Sequence, residues 1–149
     1  MTVREITSAD LAAVSALDER IFPESPWGQA AFSENLKNSY DHCFLAEDED
    51  GPAGFALLRT LDAGELLLIG TAPERRRRGT GQLLLEAVIG CAEACGMSTL
   101  LLEVRSGNVP AAELYRNNGF RTILTRRGYY LNPQEDALVM ERKLTGELC

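Results

Sequence analysis

The sequence contains a single histidine, His42, and four cysteines that follow no metal-binding spacing. A zinc site is usually built from about four clustered cysteines and histidines, so these residues do not predict one. Cys91 and Cys95 are neighbours on a predicted helix but are poorly placed for a disulfide. We therefore expect reduced thiols and no metal cofactor.

Long apolar runs are also absent. The longest, residues 65–69 and 99–102, are far shorter than the roughly 20 residues that cross a membrane. The segment after Met1 is polar, which predicts no signal peptide. No membrane association is expected, and the expected location is the cytoplasm.

The chain has 149 residues, of which 45% are hydrophobic and 25% charged, and this is enough to build one core. A single domain over residues 1–149 is predicted. The net charge of −7 disfavours direct nucleic-acid binding. Residues 1–50 hold 11 acidic and 3 basic side chains, against 11 and 12 in the remainder. Either the acidic loop at 47–50 is simply solvated, or the two parts present faces suited to cationic and anionic partners.

Hydrophobic periodicity predicts alternating helices and strands. Residues 65–71 form an apolar run bounded by turn residues, which is typical of a strand buried on both faces. Asn108 and Pro110 favour a helix start. The order of elements predicts a three-layer α/β or α+β domain, with a mixed sheet and helices on both faces. The predicted helices cover residues 7–22, 29–37, 79–95 and 108–117, and the predicted strands cover residues 43–47, 53–60, 65–71, 99–104, 121–129 and 136–143.

The segment at residues 76–82, Arg-Arg-Arg-Gly-Thr-Gly-Gln, lies between a predicted buried strand and a predicted helix. The first turn of a helix has unpaired N–H groups that attract phosphates, and glycines let the backbone approach an anion closely. The alternative is an exposed basic loop whose glycines only turn the chain. A P-loop would need lysine and then serine or threonine where Gln82 and Leu83 stand, and a dinucleotide fingerprint would need glycine at Leu84. Both common nucleotide-binding motifs are therefore disfavoured.

This segment resembles the Arg/Gln-x-x-Gly-x-Gly/Ala pyrophosphate loop of the GNAT superfamily of acetyl-CoA-dependent N-acetyltransferases. Residues 69–73, Ile-Gly-Thr-Ala-Pro, resemble the family's fourth strand and its exit, and residues 108–120 resemble its late Asn-x-x-Ala-x-x-Leu-Tyr-x-x-x-Gly-Phe motif. The resemblance implies a GNAT-type fold with a mostly antiparallel sheet of six or seven strands, and acetyl-CoA as cosubstrate. The implied cofactor-binding residues are Ile69, Gly70, Thr71, Arg76, Arg77, Arg78, Gly79, Thr80, Gly81, Gln82 and Asn108.

A narrower resemblance is to the RimI group, bacterial enzymes that acetylate the N-terminal alanine of a small-subunit ribosomal protein. It rests on residues 102–105, 126–130 and 135–140. The group's Phe-Pro-Trp-Ser segment departs here, because Glu24-Ser25 separates its two halves and Gly28 stands in place of the serine. The implied partner is a protein N-terminus with a basic tail, a ribosomal protein, which the acidic first third would attract. The alternatives are acetylation of a small amine (a polyamine, amino acid or antibiotic) and a module that senses acetyl-CoA without turnover.

Two side chains are predicted to carry the chemistry. An α-amine with a pKa of about 8 must lose a proton before it attacks a thioester. Glu103 interrupts an apolar strand, where partial burial would make it a better base, and it matches the family's base; alternatively it pairs with Arg105 or another arginine. Tyr115 matches the family's general acid, which would protonate the leaving thiolate; alternatively it is a core tyrosine.

The predicted acceptor contacts are Trp27, Tyr129 and Tyr130. Because adjacent residues of a strand point to opposite faces, at most one of the two tyrosines is expected to line the acceptor site. Glu65 is a second-choice base. The expected oligomeric state is a monomer or weak dimer.

Overall fold

The structure is a computed structural model that describes residues 1–144, so Cys149 lies outside the described residues. Short 3-10 turns lie at Ser8–Asp10 and Pro73–Arg75. No helix within residues 1–144 is long and apolar enough to cross a membrane. The strands are β1 (Thr2–Glu5), β2 (Asp41–Asp48), β3 (Gly51–Thr60), β4 (Gly64–Thr71), β5 (Thr99–Arg105), β6 (Arg121–Tyr130) and β7 (Glu135–Lys143), and the helices are α1 (Leu11–Ile21), α2 (Gln29–Lys37), α3 (Thr80–Ala94) and α4 (Val109–Asn117).

The strands form one sheet in the order β1-β2-β3-β4-β5-β7-β6. Every neighbouring pair is antiparallel except β4 and β5, which run parallel. The predicted mixed, mostly antiparallel sheet is therefore confirmed. Strand β1 was not predicted, because it has only four residues, which are largely exposed and form no apolar run.

Side-chain alternation on β3 divides the core into two layers. Phe55 and Leu57 pack against α1 and α2, whereas Ala56 and Leu58 pack against α3. All four are fully buried, and each large apolar side chain buried in this way contributes about 1.5–3 kcal/mol. Helices therefore cover both faces of the sheet, which confirms the three-layer prediction.

The parallel pair β4 and β5 separates almost at once. Only Gly64 with Leu100 and Glu65 with Leu101 are paired, and the two strands then diverge. On its other side β4 has a bulge, since Leu57 pairs with Leu68 but Leu58 pairs with Leu66. A bulge bends the strand that carries it. The sheet is therefore split by a wedge between residues 66–71 and 102–105.

The side chain of Asp41 is fully buried. Its two carboxylate oxygens accept hydrogen bonds from the Arg59 guanidinium at 2.8 and 3.0 Å. Burial acts to raise the pKa of this carboxyl, but hydrogen bonds from Arg59, Asn35 and Asn38 together lower it below its usual value. A carboxyl whose pKa is depressed by folding stabilises the native state above its unfolded-state pKa of about 4. That stabilisation is lost as the pH falls through and below this range.

We expect Asp41→Asn to lower the free energy of unfolding by about 1.5–3 kcal/mol at pH 7, because the charged hydrogen bonds to Arg59 are lost. The deficit should be smaller at a pH well below the unfolded-state pKa of about 4 than at pH 7, because the wild type loses the same charge as the pH falls through the lowered pKa of folded Asp41. Urea denaturation at the two pH values measures both effects. Glu34→Gln, which removes an exposed pair with Lys37, should cost less than about 0.5 kcal/mol. A pH-independent cost at Asp41 would contradict this account.

Candidate active site

A cleft of about 300 Å³ opens in the wedge between β4 and β5. It receives side chains from both layers of the core, since Phe22 ends α1 and Tyr115 belongs to α4. The strands diverge here, so alternate N–H and C=O groups along this edge of β4 have no strand partner within residues 1–144. The cleft is lined by Phe22, Leu66, Leu67, Leu68, Ile69, Leu102, Glu103, Val104, Arg105, Asn108, Tyr115 and Tyr130.

A second cleft, of about 420 Å³, adjoins the first. Leu100, Leu102 and Val104 belong to the core under α3, so alternation places Leu101 and Glu103 on the opposite face of β5, where this cleft lies. The two clefts share Leu66, Leu67, Leu102, Glu103 and Tyr130. We call them the α4-side cleft and the β6-side cleft. A group bound in one can therefore reach a group bound in the other through the wedge.

The loop before α3 has the geometry of an anion site. Arg77 and Gly79 adopt positive φ of 66° and 80°, and Gly79 caps the helix. The first helical bond runs from Leu83 N–H to the Gly79 carbonyl at 3.0 Å, so the N–H groups of residues 80–82 have no acceptor inside the helix. A diphosphate at this end would meet these donors and the positive end of the helix dipole.

The arginines of this loop divide into two kinds. Arg75 is buried and donates to Asp48 at 2.7 Å, so it anchors the loop to β2. Arg76, Arg77 and Arg78 are exposed, and none has an ion-pair partner among the described residues. These three guanidinium groups are therefore available to a bound anion.

Two of the predicted cofactor-binding residues, Thr80 and Gln82, can offer only their backbone groups to a ligand. The Thr80 side chain is buried, and its hydroxyl donates to the Met1 sulfur at 3.4 Å. The Gln82 amide exchanges hydrogen bonds with Asn118 at 2.8 and 2.9 Å, which ties α3 to α4. Gly81 belongs to the same contact, because a Cβ there would lie 3.3 Å from Leu114. Thr80 and Gln82 thus offer N–H groups, while their side chains hold the fold together.

The predicted strand segment at residues 69–71 continues from the cleft toward the loop. Ile69 lines the α4-side cleft, whereas Gly70 and Thr71 lie beyond it along β4. A Cβ on Gly70 would lie 2.7 Å from Ile21 and 3.1 Å from Phe22, so α1 can end against the strand only because residue 70 is glycine.

Tyr115 lines the α4-side cleft with a ring that packs 5.8 Å from that of Phe120. Only 5% of the residue is exposed, yet its hydroxyl has no hydrogen-bond partner among the described residues. Burial, with a smaller effect of Tyr130, raises the pKa of Tyr115 to about 12. The phenol therefore keeps its proton at neutral pH and is available as a donor.

Asn108 caps α4, because its side-chain oxygen accepts from the Ala111 N–H at 3.3 Å. Its amide NH₂ has no partner within residues 1–144 and lies in the lining of the α4-side cleft. The capping prediction is confirmed, and the cofactor contact stays a prediction.

Glu103 lies in the lining of both clefts, but it is not buried as expected. Its side chain is 37% exposed, because the face of β5 that carries it has no helix over it. The carboxylate pairs with Arg126 at 3.1 Å. Arg105, which was named as an alternative ion-pair partner of Glu103, instead pairs with Glu135 at 3.2 Å. Its guanidinium carbon lies 4.4 Å from the centroid of the Tyr130 ring. The premise of partial burial was wrong, and the role of Glu103 as base stays a prediction.

Tyr129 and Tyr130 both line the β6-side cleft, so the expectation that only one would do so was wrong. Their ring centroids are 5.2 Å apart. The register of β6 on β7 shifts between Arg126 and Tyr130, and Gly128 adopts a positive φ of 62°. This irregularity breaks the two-residue alternation of the strand and brings both rings to one side.

Trp27 is not brought into either cleft. Its backbone N–H donates to the buried carboxylate of Asp18 at 3.0 Å, and its indole donates to Asn35 at 2.8 Å. Phe22, at the start of the Phe-Pro-Trp-Ser-like segment, lines the α4-side cleft instead, and it was not predicted as a site residue. The ion pair of Arg126 with Glu103 was also not predicted, because it depends on the strand order β5-β7-β6.

Several carboxylates of the acidic first third form hydrogen bonds or ion pairs within the protein. None of its carboxylates lines the β6-side cleft, whose acidic members are Glu65 and Glu103. The carboxylates of this region that accept hydrogen bonds from other residues include Asp10, Asp18, Asp41, Glu47 and Asp48. Asp41 and Asp48 pair with Arg59 and Arg75 from outside this region, so part of its excess negative charge is offset within the protein.

The wedge between β4 and β5 thus adjoins a helix start that presents free N–H groups and exposed arginines. The model of the acetyltransferase (GNAT) family matches residues 11–120. The chain belongs to this family and is an N-acetyltransferase, and acetyl-CoA is the acetyl donor that the family uses.

Curated relatives of the chain include proteins named as alanine N-acetyltransferases and as an N-alpha-acetyltransferase. The chain is 37% identical over 142 residues to the ribosomal protein bS18-alanine N-acetyltransferase of Salmonella typhimurium, over 93% of this chain and 95% of the other. It is 31% identical over 148 residues to N-alpha-acetyltransferase RimI of Mycobacterium tuberculosis, over 95% and 92%. The crystal structure of the ribosomal-protein-S18-alanine N-acetyltransferase of Escherichia coli superposes with a TM-score of 0.86 at 32% identity, over 96% and 93%.

We expect Tyr115→Phe to lower kcat by about 10²–10⁴-fold, because the leaving thiolate would lose its proton donor. The KM for acetyl-CoA should change little, since the ring and its packing remain. Steady-state kinetics with both substrates varied measure the two effects. Tyr40→Phe, outside both clefts, is the matched control and should be neutral. Full activity of Tyr115→Phe at saturating substrate would exclude the role.

We expect the double substitution Arg77→Ala, Arg78→Ala to raise the KM for acetyl-CoA about tenfold, because two exposed phosphate contacts are lost. The dependence of this KM on ionic strength should also weaken. Arg121→Ala removes an exposed arginine on β6 and should leave both unchanged. Equal effects of the double variant and this control would show that general charge, rather than the loop, binds the cofactor.

Proposed function

We propose that this enzyme acetylates the α-amino group of a protein N-terminus, and that its acceptor is the N-terminal alanine of a small-subunit ribosomal protein. The observation that carries the proposal is the junction of the two clefts at Glu103 and Tyr130. The acceptor named for the relatives supports its identity. A ribosomal substrate also supports a cytoplasmic location. The oligomeric state, a monomer or weak dimer, stays a prediction.

The residues of the α4-side cleft and the loop fit acetyl-CoA. The diphosphate matches the free N–H groups of residues 80–82 and the exposed Arg76, Arg77 and Arg78. Amides of the pantetheine arm match the unpaired edge of β4 beyond Glu65, as an added strand would. The acetyl thioester would then lie in the wedge, near Asn108 and Tyr115.

The acceptor amine would enter from the β6-side cleft. Its ammonium is attracted to Glu103, where it competes with Arg126 for the carboxylate. Glu103 accepts a proton from it, directly or through water, and the free amine attacks the acetyl carbon. The new N–C bond forms, the C–S bond breaks, and Tyr115 donates its proton to the departing sulfur. The nitrogen loses its remaining extra proton to solvent as it becomes an amide, and Tyr115 regains a proton from solvent. Tyr129 and Tyr130 would flank the peptide that follows the amine.

The test is the release of coenzyme A thiol with a panel of acceptors. The panel contains a peptide with N-terminal alanine and the sequence of the ribosomal protein, the same peptide with a blocked α-amine, and small amines such as spermidine. We expect turnover with the free peptide only, and mass spectrometry should place the acetyl group on the α-amine. Turnover with small amines only would overturn the acceptor assignment. Binding of acetyl-CoA without turnover on any acceptor would favour a sensing module.

We expect Glu103→Gln to lower kcat/KM by about 10²–10⁴-fold at pH 7, where a base must deprotonate the acceptor. Above an α-amine pKa of about 8 the acceptor is already deprotonated, so the deficit should shrink as the pH rises. Glu65→Gln, in the same cleft, is the matched control. A pH-independent deficit, or a larger loss at Glu65 than at Glu103, would contradict the assignment of the base.

A further inference from the structure

A cluster of possible metal ligands lies at the C-terminal end of α3. His42 from β2 meets Cys91 and Cys95, and one ligand atom of each lies within 4.8 Å of the others. None of the three lines either cleft. The 15 residues of α3 span about 22 Å, so the cluster lies at the far end of the helix from the loop at Gly79.

The fold assembles this cluster from residues that are distant in sequence. Cys91 and Cys95 are one turn apart and share a face of the helix. Phe44 and Ala46 on β2 belong to the core under α3, so alternation directs His42 to the same side. The single histidine therefore adds the ligand that sequence spacing could not supply.

The distances suit a tetrahedral ion with sulfur and nitrogen ligands. The Cys95 sulfur lies 3.8 Å from Nε2 of His42. Two ligands at the Zn–S and Zn–N bond lengths of about 2.3 and 2.0–2.1 Å, at a tetrahedral angle, are separated by about 3.6 Å. The other two pairs of ligand atoms lie within 4.8 Å, so closing the site around an ion shortens them by roughly 1 Å at most.

Glu5 orients the imidazole for this purpose. Its carboxylate lies 3.4 Å from Nδ1 of His42. When Nε2 binds a cation, Nδ1 carries the remaining ring proton, and this carboxylate is placed to accept it. Metal-bound histidines commonly have such a carboxylate behind them. Thr60, whose hydroxyl lies 3.1 Å from Nε2, would yield that contact to the ion.

We propose that His42, Cys91 and Cys95 bind one thiophilic divalent cation of the zinc type, with water in the fourth position. Two thiolates and an imidazole match zinc in softness and geometry. The ion would join β2 to the end of α3 and would take no part in acetyl transfer. This proposal departs from the sequence prediction of reduced thiols and no metal.

The test uses the full-length protein, stripped of metal and reduced with a phosphine, and titrated with Co²⁺ and then Zn²⁺. We expect one equivalent of Co²⁺ to produce a thiolate-to-cobalt charge-transfer band and tetrahedral d–d absorption, which Zn²⁺ then abolishes. The double substitution Cys91→Ser, Cys95→Ser should abolish the charge-transfer band. Cys43→Ala removes a buried thiol outside the cluster, and this variant should retain the charge-transfer band.

Two further variants test the geometry. Glu5→Gln should weaken Zn²⁺ affinity about 10–100-fold, as loss of a carboxylate behind a ligating histidine does. Cys95→Ser changes an exposed side chain, so it decides the matter if the double variant does not fold. Absence of the band in the wild type, or an unchanged band in Cys95→Ser, would overturn the proposal. Neither readout depends on acetyl transfer, so failure here leaves the proposed function untouched.

Discussion

The structure depends on one constraint, the early separation of two parallel strands. Strands β4 and β5 pair over two residues and then part at the bulge near Leu67, which bends β4. A continuous sheet would satisfy its backbone groups internally and would leave no opening. The separation produces an unpaired strand edge and a passage between the two faces of the sheet.

The functional groups are arranged around that passage by ordinary features of local structure. The end of β4 leads into the loop and the start of α3, which offers N–H groups and exposed arginines to an anion. Asn108 caps α4 and thereby fixes the helix that carries Tyr115. On the other face, Glu103 and the bulged end of β6 line the β6-side cleft. The proposed cofactor and peptide sites thus approach one point from opposite sides and meet at the residues that the two clefts share.

Much of the fold and part of the site could be predicted from sequence. The layers, the six longer strands and the start of α3 follow from apolar periodicity and from capping residues such as Asn108 and Gly79. Burial of Glu103 was predicted wrongly, because sequence does not show which face of β5 lacks a helix. The shared side of Tyr129 and Tyr130 was missed, because it depends on an irregular register at Gly128. Arg126 and the meeting of His42 with Cys91 and Cys95 depend on strand order, which a single sequence does not specify.

The central claim is that cofactor and acceptor meet through the wedge. Its most direct test is hydrogen exchange with a bisubstrate analogue, in which coenzyme A is linked to the α-amine of an alanine-led peptide. The account predicts that coenzyme A alone protects amides of residues 66–82 and 108–115, and that the analogue also protects residues 101–105 and 126–131. Protection confined to the first set, with affinity no greater than that of coenzyme A, would contradict it.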